Sequence, residues 1–162
     1  MSKCVFAGTF DPFTNGHLSS AVRAAEIFDQ VLIAVANNSA KNPMLSAEDR
    51  FALVKKAVSG LKNVKVEICK GLLADFCREN GANCIVKGVR NAVDFDCENE
   101  MLKANLALSG IETLFLPALP QLSFVSSSFV KELISLGKDV SVFVPPEIYS
   151  EVMAAYALKR EN

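Results

Sequence analysis

Short unbroken apolar runs alternate along this chain with segments whose apolar residues recur at helical spacing, and that alternation constrains the fold more than any other feature. Residues 3–7 form a run that ends at Gly8, and residues 31–36 form a second. Residues 64–69 alternate, residues 83–87 form a run closed by Gly88, and residues 113–116 form one closed by Pro117. Each reads as a strand. Between them, residues 17–28 carry Leu18, Ala21, Val22, Ala25 and Phe28 on one helical face. Ser46 followed by Glu48 and Asp49 is a helix start, and Phe51, Val54, Val58 and Leu61 share a face behind it. Helices are also expected over 72–79, over 95–108 up to Gly110, and over 126–136 up to Gly137. A last amphipathic helix with Tyr149, Val152, Met153 and Tyr156 follows Pro145 and Pro146, and the tail at 159–162 is expected to fray.

Strands buried on both faces read as continuous apolar runs, because helices cover both sides of a parallel sheet. The expectation is a single α/β domain over residues 1–162: a Rossmann-like, doubly wound, five-stranded parallel sheet with helices on both faces, plus C-terminal helices. In such sheets ligands bind beyond the carboxyl ends of the strands, at the switch point. Four polar segments follow strand ends, at 8–17, 37–43, 88–96 and 120–128, and those carry the candidate chemistry.

Composition narrows the partners. Seventeen Lys and Arg oppose eighteen Asp and Glu, and no basic stripe stands out, so a nucleic-acid partner is not expected. No apolar run reaches the about 18 residues of a membrane span, and no signal core opens the chain, so no membrane association and a cytoplasmic location are expected. The five cysteines Cys4, Cys69, Cys77, Cys84 and Cys97 are scattered and mostly embedded in apolar runs. They read as reduced packing thiols, and with a lone histidine they make no zinc site, so no protein metal site is expected.

The block GTFDPFTNGH at 8–17 leaves the first strand and enters the first helix. A helix N-terminus offers free N–H groups and the positive end of a dipole, which suit a phosphate. Neither GK[ST] nor GxGxxG is present, so this is not the common nucleotide loop. His17 sits at the helix mouth beside Gly16, where an imidazole can donate to phosphate oxygens as charge grows in a transition state.

GTFDPFTNGH resembles the TxGH signature of the nucleotidyltransferase superfamily. The superfamily's second signature, a serine-rich helix start followed by a basic residue, matches VSSSFVK at 125–131. With AKNPM at 40–44, KGVR at 87–90 and DFDCE at 94–98, nearly the whole chain is similar to the bacterial phosphopantetheine adenylyltransferase family. The resemblance implies reversible transfer of an adenylyl group from ATP to 4'-phosphopantetheine. The products are dephospho-coenzyme A and pyrophosphate, and no covalent intermediate forms. It implies Mg²⁺ as Mg-ATP, a homohexamer of two stacked trimers, and coenzyme A as a feedback inhibitor.

The resemblance also implies roles. His17 and Lys41 are catalytic; Thr9, Lys41, Leu73 and Lys87 bind the acceptor; Thr9, Phe10, His17, Gly88, Val89, Arg90 and Glu98 border ATP. Leu122, Ser123, Phe124, Val125, Ser126, Ser127 and Ser128 cradle the nucleotide and its triphosphate. Each position has a plainer alternative: Lys41 a solvated lysine, Arg90 a partner of Asp94 or Asp96, the serines a helix cap, Glu98 a solvated face, Leu73 core. Three positions depart from the family. Lys87 stands for the usual Arg, exchanging a two-pronged fork for a point charge. Phe6 and Ala7 replace Tyr-Pro, and Leu122 replaces a frequent aromatic. A sibling transferase with another acceptor and a non-catalytic nucleotide module remain open alternatives.

Overall fold

The computed structural model describes residues 1–37 and 42–160, the side chains of 158–160 excepted. Five strands, β1 (Lys3–Gly8), β2 (Gln30–Ala36), β3 (Val64–Cys69), β4 (Cys84–Val89) and β5 (Glu112–Pro117), form one parallel sheet in the order β3-β2-β1-β4-β5. The helices are α1 (Asn15–Ile27), α2 (Ala47–Ala57), α3 (Leu73–Glu79), α4 (Ala92–Ser109), α5 (Ser127–Ser135) and α6 (Tyr149–Arg160). The expected doubly wound sheet with C-terminal helices is what the chain forms.

Successive strand residues point to opposite faces, and two cores result. Cys4 and Phe6 of β1, Val31, Ile33 and Val35 of β2, and Val86 of β4 pack under α1, α2, α5 and α6. Val5, Ala7, Leu32, Ala34 and Ile85 face the other way, against Phe76 and Cys77 of α3. Burying a Val, Ile or Phe side chain stabilises by roughly 1.5–3 kcal/mol, so the apolar runs that mark the strands also hold the helices to both faces. α4 lies beside α3 and against β4 and β5.

Helix ends differ from the sequence expectation in several places: α1 starts two residues early at Asn15, and α2 ends at Ala57, short of Val58 and Leu61. α4 begins at Ala92, three residues before the first periodic residue Phe95. Asn91 caps it, its side chain accepting the Asp94 amide at 2.9 Å, and the helix closes on Gly110 at φ 68°. α6 runs to Arg160, into the stretch expected to fray. Because β1 pairs with β2 on one side and β4 on the other, the chain reverses its winding between β1 and β4. The loops that leave these two strands therefore flank one crevice.

Candidate active site

A cleft of about 950 Å³ opens above the carboxyl ends of β1 and β4. Its wall on one side is the β1–α1 loop and the first turn of α1, with Thr9, Phe10, Thr14 and His17. Across from these stand Lys87, Gly88, Val89 and Arg90 from β4, and Asp94, Glu98 and Asn105 from α4. Leu122 and residues 125–128 close one end, and Leu73 of α3 lies on the same wall system.

His17 is held by a reciprocal cap. Thr14 precedes α1 and its hydroxyl accepts the His17 amide at 3.4 Å. The Thr14 amide in turn donates to His17 Nδ1 at 3.1 Å. A backbone N–H can only donate, so Nδ1 is the unprotonated nitrogen and the neutral ring carries its hydrogen on Nε2. Phe10 meets the imidazole edge-on with centroids 5.1 Å apart, and Phe13 lies 5.5 Å away. Burial first, and then Arg90, push the His17 pKa down to about 4. At neutral pH the residue is an uncharged Nε2–H donor in one orientation.

The loop that carries this ring needs a glycine behind it. Phe10 has φ 55°, in the left-handed region, and its ring folds back over Gly8. A Cβ on Gly8 would sit 2.6 Å from that ring, which is itself packed against Phe6 and Phe13. Phe10 is thus core by its side chain, and only its backbone is available to a ligand.

The cations opposite are already paired. Lys87 Nζ lies 3.0 Å from Glu98 Oε2. Arg90 grips Asp94 with two prongs, Nε to Oδ2 at 2.7 Å and Nη2 to Oδ1 at 3.0 Å. Of the two partners open to Arg90 in the sequence, Asp94 is the one the fold supplies. At the serine block, Ser126 caps α5 by accepting the Phe129 amide at 3.0 Å. Ser127 Oγ donates to the Pro12 carbonyl at 2.8 Å, which ties the start of α5 to the β1–α1 loop.

The fold brings most of the sequence candidates to one place: Thr9, Phe10, His17, Leu73, Lys87, Gly88, Val89, Arg90, Glu98, Leu122, Val125, Ser126, Ser127 and Ser128 all line the cleft. Ser123 and Phe124 do not line it. The Ser123 hydroxyl donates to Pro120 O at 2.9 Å. Phe124 turns outward, 58% exposed, with its ring edge-on to Phe129 and Phe143. Lys41 lies outside the described residues. Four cysteines are buried as expected, and burial raises the pKa of Cys4 and Cys77 to about 12. Cys97 is exposed on the cleft wall.

Asn105 was not legible as a site residue. It is 6% exposed, lines the cleft, and its carboxamide makes no hydrogen bond among the described residues. Its carboxamide is not among the buried unpartnered groups, so it is open to the cleft as a candidate polar contact. Its only sequence signal is an uncharged polar residue inside an otherwise apolar helix turn, which a solvated face would also show.

A family model described as cytidylyltransferase-like matches residues 5–133. The sheet, the capped histidine and that match define a nucleotidyltransferase. A phosphopantetheine adenylyltransferase of Streptomyces coelicolor is 46% identical over 146 residues, 90% of this chain and 92% of the relative. One from Cutibacterium acnes is 48% identical over 88% of this chain and 91% of its own length. The chain belongs to the phosphopantetheine adenylyltransferase family. Solved structures share the fold at low identity. A bifunctional NMN adenylyltransferase/ADP ribose pyrophosphatase from Francisella tularensis superposes with TM-score 0.73 at 16% identity, over 96% of this chain and 51% of that one. A lipopolysaccharide core biosynthesis protein from Thermoplasma volcanium gives TM-score 0.54 at 24% identity, over 74% and 97%.

Proposed function

We propose that this chain joins the adenylyl group of ATP to 4'-phosphopantetheine by direct displacement. An oxygen of the acceptor phosphate attacks the α-phosphorus, the bond from that phosphorus to the bridging oxygen breaks, and pyrophosphate leaves with the electron pair. Dephospho-coenzyme A is the other product, and the step is reversible. The acceptor phosphate is already a nucleophile at neutral pH, so positioning and charge stabilisation supply the catalysis.

One observation carries this assignment: the Thr14 amide donates to His17 Nδ1, leaving Nε2–H as a fixed, neutral donor over the cleft. Such a donor stabilises charge that grows on the α-phosphate oxygens without first gripping the ground state as a cation would. Thr9, the Phe10 amide and the N-terminus of α5 at Ser127 and Ser128 flank the triphosphate in this reading, with Gly88, Val89, Arg90 and Glu98 along the nucleotide. Lys87, with Lys41, takes the acceptor phosphate. Leu73, Met101 and Leu108 offer apolar contact to the pantetheine arm, and Asn105 an amide partner. Magnesium enters as Mg-ATP, its ligands being phosphate oxygens and water. The substrates are water-soluble phosphate esters, which suits a cytoplasmic setting.

α4 supports self-association into the hexamer the family resemblance implies. Its exposed apolar side chains outside the cleft, Val93 (71%), Phe95 (42%) and Leu106 (37%), are not buried against this chain's own core, and such a surface favours a protein partner. Inhibition by coenzyme A would follow from the shared pantetheine arm, as a ligand of the same cleft.

Pyrophosphate release from ATP, measured with phosphopantetheine, nicotinamide mononucleotide and glycerol phosphate in turn, tests the assignment. Release with phosphopantetheine alone is expected. A preference for another acceptor, or ATP binding without turnover on any, would contradict it.

A further inference from the structure

The basic residue that follows the serine block does not reach the cleft. Lys131 Nζ lies 3.0 Å from Asp11 Oδ2, and neither residue is among those that line the cleft. The Asp11 side chain is only 4% exposed, and four donors converge on it. The Met44 amide donates to Oδ2 at 2.9 Å, and the Leu45 amide to Oδ1 at 3.1 Å. Lys131 comes from α5, and the Tyr156 hydroxyl from α6 donates to Oδ1 at 2.7 Å. Burial pushes the Asp11 carboxyl up, but these hydrogen bonds outweigh it and hold the group below the usual carboxylate range.

We propose that Asp11 is a positioning residue for adenylyl transfer, and that its pair with Lys131 sets the spacing between the β1–α1 loop and the serine helix α5. The proposal rests on the nucleotidyl-transfer assignment above. Asp11 directly follows Phe10, whose left-handed backbone turns the loop, and it precedes Pro12, whose carbonyl receives Ser127 Oγ. The two ties between loop and helix thus fall on neighbouring residues. They join the two elements that must meet the same triphosphate: one carries Thr9 and His17, the other Ser126, Ser127 and Ser128.

A second clamp backs the loop from below. Arg50 is fully buried and donates through Nη1 to the carbonyls of Thr9 at 2.6 Å and Ala36 at 2.8 Å, and through Nε to Leu45 O at 3.1 Å. The loop is therefore held on both sides by buried charged groups, Asp11 and Arg50, that do not line the cleft. Four donors require an acceptor-only partner, which an ionised carboxylate is and a carboxamide is not. An amide nitrogen at position 11 would face at least one N–H or O–H that it cannot accept.

The test uses Asp11→Asn, Lys131→Met and the double variant, with Val152→Ala as a core truncation remote from the cleft. Each is measured for kcat, KM for both substrates and Tm against the parent. A misplacement of reacting groups by a fraction of an ångström to an ångström lowers turnover, so each single variant is expected to lose on the order of 10- to 100-fold in kcat. KM for ATP should stay within about threefold. The double variant should be no slower than the worse single one, because both remove one pair. Val152→Ala should lower Tm and keep kcat.

Any of these results would overturn the proposal: single variants turning over within about threefold of the parent, losses that multiply in the double variant, or a Val152→Ala kcat loss that matches theirs at equal Tm. A Lys131→Met variant that raises KM for ATP at unchanged kcat would also overturn it, making Lys131 a phosphate ligand. If Asp11→Asn does not fold, Lys131→Met, which leaves three donors on the carboxylate, decides alone. A parent inactive on phosphopantetheine marks failure of the underlying functional assignment, whereas an active parent with unaffected variants marks failure of the positioning role only.

Discussion

On the β1–α1 side of the cleft the contacts around His17 are complete: a reciprocal cap to Thr14, two phenyl rings and a buried loop fix the imidazole. On the α4 side the cations are spoken for by carboxylates of their own neighbourhood, Lys87 by Glu98 and Arg90 by Asp94. The first wall is preorganised, and a ligand meets it as it stands. Under the proposed function the second exchanges carboxylates for phosphates when substrate arrives. Its groups are more open as well: the Arg90 and Glu98 side chains keep 33% and 30% of their exposure, against 1% for Thr14. In the proposed function, transition-state stabilisation is assigned to the wall that costs no rearrangement, and substrate capture to the wall that can re-pair. Damage to the first should therefore appear in kcat, and damage to the second in substrate dependence.

The largest effect is expected from His17→Ala. Loss of one well-placed donor lowers turnover on the order of 10²–10³-fold, while the fold and much of the ATP affinity persist. Steady-state kinetics with calorimetric ATP binding checks this, and a variant within about threefold of the parent in kcat would remove His17 from the chemistry.

Lys87→Ala comes next. A charge-assisted hydrogen bond to the acceptor phosphate contributes about 1.5–3 kcal/mol, so kcat/KM for phosphopantetheine should fall roughly ten- to a hundredfold with ATP kinetics little changed. Indifference of the acceptor kinetics would break the contrast between the walls. Lys87→Arg sharpens it, since activity is kept only if the space beside Glu98 admits the larger guanidinium.

A smaller effect follows from the His17 pKa. The folded value of about 4 lies below the ordinary 6.5, so between the two the unfolded chain binds more protons. That share of stability is whole above pH 6.5 and is lost as pH falls toward 4. Because the chain has one histidine, its imidazole NMR signals can be followed without ambiguity. A midpoint near 4 is expected, and a midpoint near 6.5 would mean that the ring is solvated and unfixed.

The smallest effect is expected at the cysteines. Cys97→Ser on the cleft wall should leave kcat unchanged, since attack by a phosphate needs no thiolate. A folded Cys97→Ser variant that has lost turnover would contradict that. Exchange of any of the four buried thiols should show in Tm instead.

The strands, the helices between them and the His17 loop were legible because each is a local signal: an apolar run, a helical period, a glycine beside a polar block. The contacts that distinguish the two walls were not. Lys87 and Glu98 meet only because β4 and α4 pack together, and Asp11 and Lys131 lie 120 residues apart. Ser123 and Phe124 show the opposite failure. A contiguous block reads as one surface, yet the backbone turns within it, so Leu122 and Val125 face the cleft while Phe124 joins an outer aromatic cluster.

Between the two walls His17 is a donor and not a nucleophile in the proposed function. A proton on Nε2 leaves no lone pair there for attack on phosphorus, so in the proposed function His17 carries no adenylyl group and the acceptor phosphate displaces pyrophosphate in a single step. The stereochemical course at the α-phosphorus tests this most directly, using ATP made chiral at that centre and analysis of the dephospho-coenzyme A formed. One in-line displacement gives inversion, which is the expected result. Retention would mean two displacements through an adenylylated residue, and would contradict the role assigned to His17 and to the wall that holds it.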